Sequence, residues 1–526
     1  MRWIALAALM VGCGGTGGKE GDSAVEPATT PVSDTDTDAD ADTDADTDTD
    51  TDTDTDTDTD TDTDTDSDTD TDSDTDTDSD TDTDTDTDTD TDTDTDTDTD
   101  PGAASIAVEC APTDNVLRWD CTITVDPPQA VELTRDRVDG LGSSRVFAAD
   151  DAVAEHTVRV IYLAGLVEYA IEVATLDGGA TASTTFVTEQ PPRQVDSQFT
   201  FAGEATSRML GSESPCDTGA WAVIYDTETG ALVWYQNLDA RGSLGMLDMV
   251  RYTDEHTVVG ETDGKIVEGD LDGNLLVSFD VDYPGCCSLN HDIFKYEGNY
   301  YSQYQDTVGG LTVDPVVILD ATGVELAEWN PKDHLVIDGA PRGDFMHQNT
   351  VFVTDEGDIL VSWLSRDSLA KVRGDWTAPD FGEVVWIMDG NPPDELNGSA
   401  PEITIDWSGI GGADNFSGQH DFKQLPDGRY MVLDSGHGRG LVFTLDEETL
   451  TATMEASYRT ADGSCGAQGT ATMTAAGNPI VSCMTRNVRE YDHVTAEPIW
   501  DGTVVCRDGG GGFAPAPVRW YALDTW

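Results

Sequence analysis

Three histidines open similar short stretches of the chain, and imidazole is the side chain best suited to proton transfer and nucleophilic attack near neutral pH. The stretches are HDIFKYEGNYYSQY, HQNTVFVTDEGDILVSW and HDFKQLPDGRYMVL, which begin at His291, His347 and His420. In each, the histidine precedes a β-forming run, a turn that contains Gly, and a second β run. Repeats place equivalent residues at equivalent points in space, so the three imidazoles are predicted to converge.

Polar side chains that the repeat is expected to place near these histidines would suit an anionic ligand. Asn349 lies in the run HQN, Arg366 ends the run LVSWLSR, and Thr470 lies in AQGT. A guanidinium presents a planar fork of N–H donors that fits an oxyanion such as sulfate or phosphate. With the imidazoles around it, the pocket would be cationic inside an anionic protein. These residues therefore predict a site for an anionic substrate.

A second kind of hairpin alternates with the histidine-led ones. It consists of a strand, a turn of the D-x-x-G type and a strand rich in Val, Leu or Trp, as in AVIYDTETGALVWYQ, KIVEGDLDGNLLVSF and VVILDATGVELAEW. Two such hairpins form a four-stranded blade, and recurrence at roughly 45–75 residues predicts a β-propeller over residues 196–526. Five units can be traced directly, and the closing segment VRWYALDTW would complete the first, near Phe199–Ser214, to give six blades. A solenoid is disfavoured because no capping repeats are evident.

The region before the propeller divides into two parts. Residues 101–195 contain five runs of alternating apolar and polar residues separated by Gly, Pro and Asp turns, which predict a small, fibronectin-like β-sandwich. In residues 14–100, Asp occupies every even position from Asp34 to Asp100, mostly alternating with Thr. A segment that buries nothing apolar and repels itself is expected to be a disordered, extended stalk. The predicted fold is therefore all-β, with a sandwich and a propeller after an acidic stalk.

Residues 1–13 have the features of a secretion signal. Arg2 precedes a short apolar run, and MVGC at residues 10–13 resembles a bacterial lipobox whose cysteine, Cys13, would carry lipid. The expected product is an exported lipoprotein of the outer membrane, periplasmic or surface-facing, which meets the membrane only through that lipid. An ordinary signal peptide is the alternative. Of nine cysteines, the other eight favour disulfides, with Cys110 and Cys121 as the most credible local pair.

The charge of the chain argues against nucleic acid as a partner. The 526 residues carry a formal net charge of −79. Binding to nucleic acid gains affinity by replacing phosphate counterions with Lys and Arg, which are scarce here. No spacing of Cys or His suggests a zinc site.

In order and spacing, several runs resemble the bacterial arylsulfate sulfotransferases over roughly residues 200–526. The runs are NHD at 290–292, HQN at 347–349, LVSWLSR at 360–366, VVWIMDG at 384–390, QHD at 419–421, GAQGTATM, and VREYD at 488–492. The resemblance implies a six-bladed propeller in the periplasm that transfers a sulfuryl group from an aryl sulfate donor to a phenolic acceptor. Neither metal nor other cofactor is expected, because the aryl sulfate is itself the activated donor.

The same resemblance implies a role for each candidate residue. His420 would be the nucleophile that becomes a sulfohistidine, and a neutral imidazole is competent for that attack. His347, Asn349 and Arg366 map onto the sulfate-binding set of the family, and Thr470 is a further substrate-binding candidate. His291 would be an acid or base for the phenol oxygen. The run MVLDSGHGRG departs from the family pattern, and its His437 is expected at the surface.

Two other functions fit the same scaffold. A non-catalytic propeller would bind a ligand or partner at the cell surface and transfer nothing. A hydrolase would release sulfate to water, so its turnover would not depend on an added phenol. The transferase is the function that the flanking residues favour.

Overall fold

The computed structural model describes residues 104–217, 220–238, 247–262, 265–281, 289, 291–336, 343–390, 396, 400–411, 415–465, 468–507 and 519–526. The predicted signal with Cys13 and the predicted stalk at residues 14–100 lie outside the described residues. The prediction of an all-β chain is confirmed, since the described elements are strands apart from one short α-helix and one 3-10 turn.

The first sheet is antiparallel and is built around one long strand. Its strands are β1 (Ser105–Pro112), β2 (Trp119–Arg137), β3 (Arg145–Val160), β4 (Glu168–Thr175) and β5 (Thr181–Val187). The pairing of β2 with β3 is irregular between Thr124 and Gln129. The first half of β2 pairs with β1 and its second half with β4. The sheet occupies the region where a fibronectin-like sandwich is predicted, and that topology stays a prediction.

The predicted pair of cysteines forms a disulfide in this sheet. Cys110 of β1 lies opposite Cys121 of β2, and their sulfur atoms are bonded. Two further disulfides, Cys216–Cys506 and Cys465–Cys483, join segments that follow the first sheet. The prediction that cysteines pair is therefore confirmed for these six residues.

The rest of the described chain forms mainly antiparallel sheets, most of which are built on four strands. In chain order these strands are β6 (Ser197–Gly203), β7 (Met209–Glu213), β8 (Trp221–Asp226), β9 (Leu232–Asn237), β10 (Leu247–Tyr252), β11 (Thr257–Thr262), β12 (Lys265–Asp270), β13 (Leu275–Asp280), β14 (Ile293–Tyr296), β15 (Asn299–Gln303), β16 (Asp306–Val308), β17 (Leu311–Val313), β18 (Val316–Leu319), β19 (Glu325–Trp329), β20 (Gly343–Asp344), β21 (Gln348–Val353), β22 (Ile359–Trp363), β23 (Ser368–Val372), β24 (Val384–Asp389), β25 (Thr404–Asp406), β26 (His420–Gln424), β27 (Tyr430–Asp434), β28 (Arg439–Asp446), β29 (Thr451–Arg459), β30 (Gly469–Met473), β31 (Pro479–Cys483), β32 (Asn487–Tyr491), β33 (Pro498–Cys506) and β34 (Trp520–Ala522).

Among the described residues, six four-stranded sheets follow one plan. They are β34-β7-β8-β9, β10 to β13, β14-β15-β18-β19, β21 to β24, β26 to β29, and β30 to β33. The strand β25 is added to the edge of the fifth sheet and β6 to that of the sixth, while β16, β17 and β20 form a small separate sheet. Such repeated four-stranded sheets are typical of propellers. The closure of the chain into six blades stays a prediction.

The last strand of the chain completes the sheet that begins after β6. Trp520, Tyr521 and Ala522 of β34 pair with Ser212, Gly211 and Leu210 of β7. The predicted completion of the first unit by VRWYALDTW is therefore confirmed. The sheets have apolar interiors with large buried side chains such as Trp234, Trp363 and Trp386.

The single α-helix of the described residues, α1 (Pro331–His334), is a short connection after β19. No helix in the described part of the chain has the length and apolar character needed to cross a membrane.

Candidate active site

Side chains link the first strand of one sheet to the first strand of the next sheet. In each link, a side chain near the start of one first strand accepts a hydrogen bond from a backbone N–H of the following first strand. Asp292 directly precedes its strand, and the other accepting residues lie within the first three residues of theirs. The bonds run from the N–H of Val351 to Asp292, of Phe422 to Thr350, of Ala471 to Asp421, and of Trp520 to Thr470, with lengths of 2.9, 3.4, 3.0 and 2.6 Å. These links satisfy backbone donors that would otherwise be buried without an acceptor.

This repeated link aligns the strands and corrects one detail of the sequence repeat. The residues that directly precede these accepting side chains are His291, Asn349, His420 and Gly469. His347 stands two residues before Asn349, so it is not equivalent to the other two histidines. Gly469 has no side chain, and a larger residue does not fit because a Cβ at this position would lie 2.3 Å from the Ser482 carbonyl oxygen.

His420 is buried, and its ring is held through one nitrogen. Its Nδ1 lies 2.9 Å from the Gly418 carbonyl oxygen and 3.0 Å from Oγ of Ser435. A carbonyl can only accept, so Nδ1 carries the proton and Nε2 of the neutral ring keeps its lone pair. Burial lowers the pKa of His420 to about 3, and the positive charge of Arg519 acts in the same direction. The imidazole is therefore neutral at pH 7 with a nucleophilic Nε2.

His347 is paired with a carboxylate and lies against His291. Nδ1 of His347 is 2.5 Å from Oδ2 of Asp344, and the rings of His347 and His291 are stacked with their centroids 5.1 Å apart. The Asp344 hydrogen bond raises the pKa of His347. Burial, together with positive charge on His347, lowers the pKa of His291 to about 4. Of the two stacked imidazoles, His347 therefore holds a proton more strongly than His291.

A buried carboxyl group bonds the backbone of the residue after His347. Asp314 accepts the backbone N–H of Gln348 at 2.9 Å, and burial raises the pKa of Asp314 to about 7. The negative charge of Asp344 raises that pKa further, whereas His347 lowers it. The segment that carries His347 is therefore held by a carboxyl group that can exchange a proton near neutral pH.

Arg366 lies close to the same segment. It ends a 3-10 turn, Leu364–Arg366, in which the N–H groups of Leu364 and Ser365 bond the carbonyls of His347 and Met346. The guanidinium carbon of Arg366 lies 4.5 Å from the centre of the Phe345 ring. These contacts bring the predicted anion-binding arginine and His347 together.

Asn349 and Thr470 use their side chains to hold the framework. The amide of Asn349 donates to the Gln419 carbonyl at 2.8 Å and accepts from Oγ of Ser362 at 2.9 Å. The hydroxyl of Thr470 accepts the Trp520 N–H, as described above. Both residues are buried. Asn349 thus fixes the backbone immediately before His420.

A buried chain of ion pairs lies next to the histidines. Arg519 is 2.7 Å from Oδ1 of Asp292 and 3.6 Å from Oδ1 of Asp421. Asp292 also pairs with Arg251 at 3.0 Å, and Asp421 pairs with Lys423 at 2.9 Å. Because isolated buried charges are costly, the alternation of sign along the chain makes their burial tolerable. We call these five residues the ion chain.

His437 lies at a turn beside Ser435 and is only partly exposed. Its Nδ1 is 2.9 Å from each carboxylate oxygen of the buried Asp434. Arg439 donates to the same carboxylate at 2.8 Å. The departure from the family pattern in MVLDSGHGRG therefore places a second Asp–His pair near the residues that hold His420.

The sequence did not single out Arg519, Asp344 or Ser435. Arg519 could have been found, since it directly precedes the closing strand, at the place that Asp292 and Thr470 occupy in other repeats. Asp344 and Ser435 carry no comparable signal because each precedes or follows the motif by a few residues of loop or turn. Among the described residues, no group of three or more His, Cys, Asp or Glu could hold a metal ion.

The order of these residues along the chain agrees with a known family. A model of the arylsulfotransferases (ASST) matches residues 192–455, which is half of the chain. The chain belongs to the arylsulfotransferase family. The matched region contains the three histidines, Asn349 and Arg366, while Thr470 and Arg519 follow it. No curated protein matches the chain significantly.

Solved structures similar to this arylsulfotransferase chain are distant in sequence. A protein of unknown function from Bacteroides caccae has 10% identity and a TM-score of 0.40, covering 60% of this chain and 98% of that one. A catalytically inactive virginiamycin B lyase from Staphylococcus aureus with quinupristin has 7% identity and a TM-score of 0.34, covering 59% and 100%. A protein from Lactobacillus plantarum has 10% identity and a TM-score of 0.33, covering 74% and 98%. At these scores the likenesses carry no argument about activity.

Proposed function

We propose that the protein transfers a sulfuryl group from an aryl sulfate to a phenolic acceptor through a sulfohistidine at His420. The observation that carries the proposal is the hydrogen bond from Nδ1 of His420 to the Gly418 carbonyl, which leaves Nε2 as the nucleophilic nitrogen. The low pKa of His420 keeps that nitrogen unprotonated at any pH where the protein is expected to work.

The first half of the reaction forms an S–N bond and breaks an S–O bond. Nε2 of His420 attacks sulfur, and the electron pair of the broken bond goes to the phenolate oxygen of the donor. His347 is the acid best suited to protonate that oxygen, because Asp344 raises its pKa while the pKa of His291 is lowered. The positive charges of Arg366 and His347 would stabilise the sulfuryl oxygens during transfer.

The second half reverses these events with a new phenol. Its oxygen attacks sulfur, its proton passes to the now neutral His347, and the S–N electron pair returns to Nε2 of His420. One acid/base group therefore serves both halves, and it ends each cycle in its starting state. This assigns to His347 the proton transfer that the family resemblance implied for His291. The lowered pKa of His291 leaves it a weak base, so its contribution is to pack against His347.

The test follows the sulfuryl group. With 4-nitrophenyl sulfate as donor and phenol as acceptor, we expect nitrophenol release that depends on phenol, and loss of at least about a thousandfold in His420→Asn. Without acceptor, the peptide that contains His420 should gain the mass of one sulfuryl group. Undiminished release by His420→Asn would remove His420 as the nucleophile. Release that is independent of phenol would favour a hydrolase.

We also propose that the protein acts outside the cytoplasm. The three disulfides of the described residues support an oxidising compartment. Lipid attachment at Cys13 is the predicted means of retention at the membrane. Labelling cells with a radioactive fatty acid should modify the wild-type chain and not Cys13→Ser.

A further inference from the structure

The first strands of the six sheets end at a cavity of about 660 Å³. Each strand contributes lining residues from its C-terminal half, among them Arg251, Tyr296, Phe352, Lys423, Thr472 and Ala522. The histidines precede or begin three of the same strands. The cavity therefore lies at the opposite ends of these strands from the histidines, and we call it the distal cavity.

Two groups of aromatic rings line the distal cavity. Phe294 and Phe352 lie with ring centroids 4.7 Å apart. Tyr252 lies 5.4 Å from Tyr521 and 5.3 Å from Trp526. The volume is within the range of sites for small organic ligands, and flat aromatic faces favour a planar aryl group.

Lys423 provides hydrogen-bond donors at the same cavity. Its Nζ donates to Asp421 at 2.9 Å, and within the described residues no other hydrogen bond of this ammonium is present. Since an ammonium has three N–H donors, two remain for a ligand. The side chain is 11% exposed and lines the cavity. A ligand with anionic oxygens would satisfy these donors and offset the cost of burying the charge.

Arg251 is less able to bind a ligand than Lys423. Its guanidinium bonds Asp292 and the Ile293 carbonyl, and its central carbon lies 4.7 Å from the centre of the Phe294 ring. It contributes a fixed positive charge beside one aromatic wall. Lys295, which also lines the cavity, is paired with Glu255 at 2.6 Å and with Glu268 at 2.8 Å. The polar floor of the cavity thus combines two committed cations with Lys423, which has donors to spare.

We propose that the distal cavity is a second ligand site, which binds a small aromatic anion. The aryl group would pack between the two groups of rings, and its carboxylate, sulfonate or sulfate oxygens would accept hydrogen bonds from Lys423. Exposed carboxylates at the rim, including Glu255 and Asp355, would instead attract an aromatic cation. Water and salt weaken those exposed charges more than they weaken Lys423. Lys423 on the floor of the cavity, rather than the exposed carboxylates at the rim, therefore determines the charge of the preferred ligand.

The test compares two probes of similar shape and opposite charge on the full chain. We expect 2-naphthoate to bind, as measured by calorimetry, at least tenfold more tightly than 2-naphthyltrimethylammonium. Lys423→Met should weaken binding of 2-naphthoate at least tenfold, because a charge-assisted hydrogen bond is lost. Ala522→Phe, which fills the cavity while Lys423 stays in place, should weaken it as well. His291→Asn at the other end of the strands is the matched control and should bind 2-naphthoate as the wild type does.

Because binding requires no turnover, these measurements test the distal cavity independently of sulfuryl transfer. Tighter binding of the ammonium probe, or no binding of 2-naphthoate, would overturn the proposal. So would loss of binding in His291→Asn with retention in Ala522→Phe, since the anion would then occupy the histidine end. Circular dichroism and thermal unfolding of each variant establish that the fold is intact, and Ala522→Phe keeps the test valid if Lys423→Met fails to fold.

Discussion

Arg519 donates a hydrogen bond of 2.7 Å to Asp292, the residue that directly follows His291. On its other side, its Nε lies 3.6 Å from Asp421, the residue that directly follows His420. One arginine from the end of the chain thus connects the backbone positions next to two histidines that are remote in sequence. We therefore expect the position of both imidazoles to depend on this arginine, which lies outside the motifs that identify them.

Replacing Arg519 by methionine is expected to destabilise the protein by about 3–5 kcal/mol, because two buried carboxylates lose their shared partner. Urea unfolding measures this free energy. Arg519→Lys keeps the charge but cannot span both carboxylates, so its loss should be smaller than that of Arg519→Met. If Arg519→Met unfolds at the same urea concentration as the wild type, the ion chain does not hold the two strands.

The pH dependence of activity should be set by His347 rather than by His420. The pKa of His420 is about 3, so the nucleophile remains neutral across the working range. The pKa of His347 lies above its usual value of 6.5, so its acid form is lost as the pH rises through this raised pKa. We expect kcat/KM to fall on the alkaline side. In Asp344→Asn the pKa of His347 loses its main support, and this alkaline limb should move to lower pH.

The stability of the fold should depend on pH through the two neutral histidines. The pKa values of His420 and His291 are about 3 and about 4, below the usual value of 6.5. Between these values and 6.5 the unfolded state binds more protons, so the free energy of unfolding should fall as pH decreases through this window. Chemical unfolding at a series of pH values measures the slope. His291→Asn should reduce it, whereas an unchanged slope would show that His291 does not contribute.

The sequence predicted the architecture better than it predicted the role of each residue in the site. Regular turns and alternating strands revealed the repeated hairpins, and VRWYALDTW revealed the pairing of β34 with β7. The repeat did not reveal that His347 is displaced by two residues, because the links from Asp292, Thr350 and Asp421 become visible only in three dimensions. Likewise, the choice between His291 and His347 as proton donor depends on Asp344 and on burial, which a motif does not specify.

Asn349 is expected to act by positioning His420, through its hydrogen bond to the Gln419 carbonyl. Asn349→Ala should lower kcat by about 10–100-fold with little change in KM, because a small displacement of a nucleophile is costly. Ser362 donates to both Asn349 and Gln419, so Ser362→Ala should lower kcat in the same direction and less. The two effects should not add in the double variant. A raised KM in Asn349→Ala, with Ser362→Ala unaffected, would mean that Asn349 binds the sulfuryl group instead.

The disulfide between Cys216 and Cys506 should contribute more to stability than the one between Cys465 and Cys483. The first spans 290 residues of sequence and the second 18. A crosslink lowers the entropy of the unfolded chain more when it closes a longer loop, and the logarithmic dependence gives a difference of about 2–3 kcal/mol. We therefore expect Cys216→Ser with Cys506→Ser to lose more free energy of unfolding than Cys465→Ser with Cys483→Ser. Equal losses in urea unfolding would show that local packing around each pair, rather than loop closure, sets its contribution.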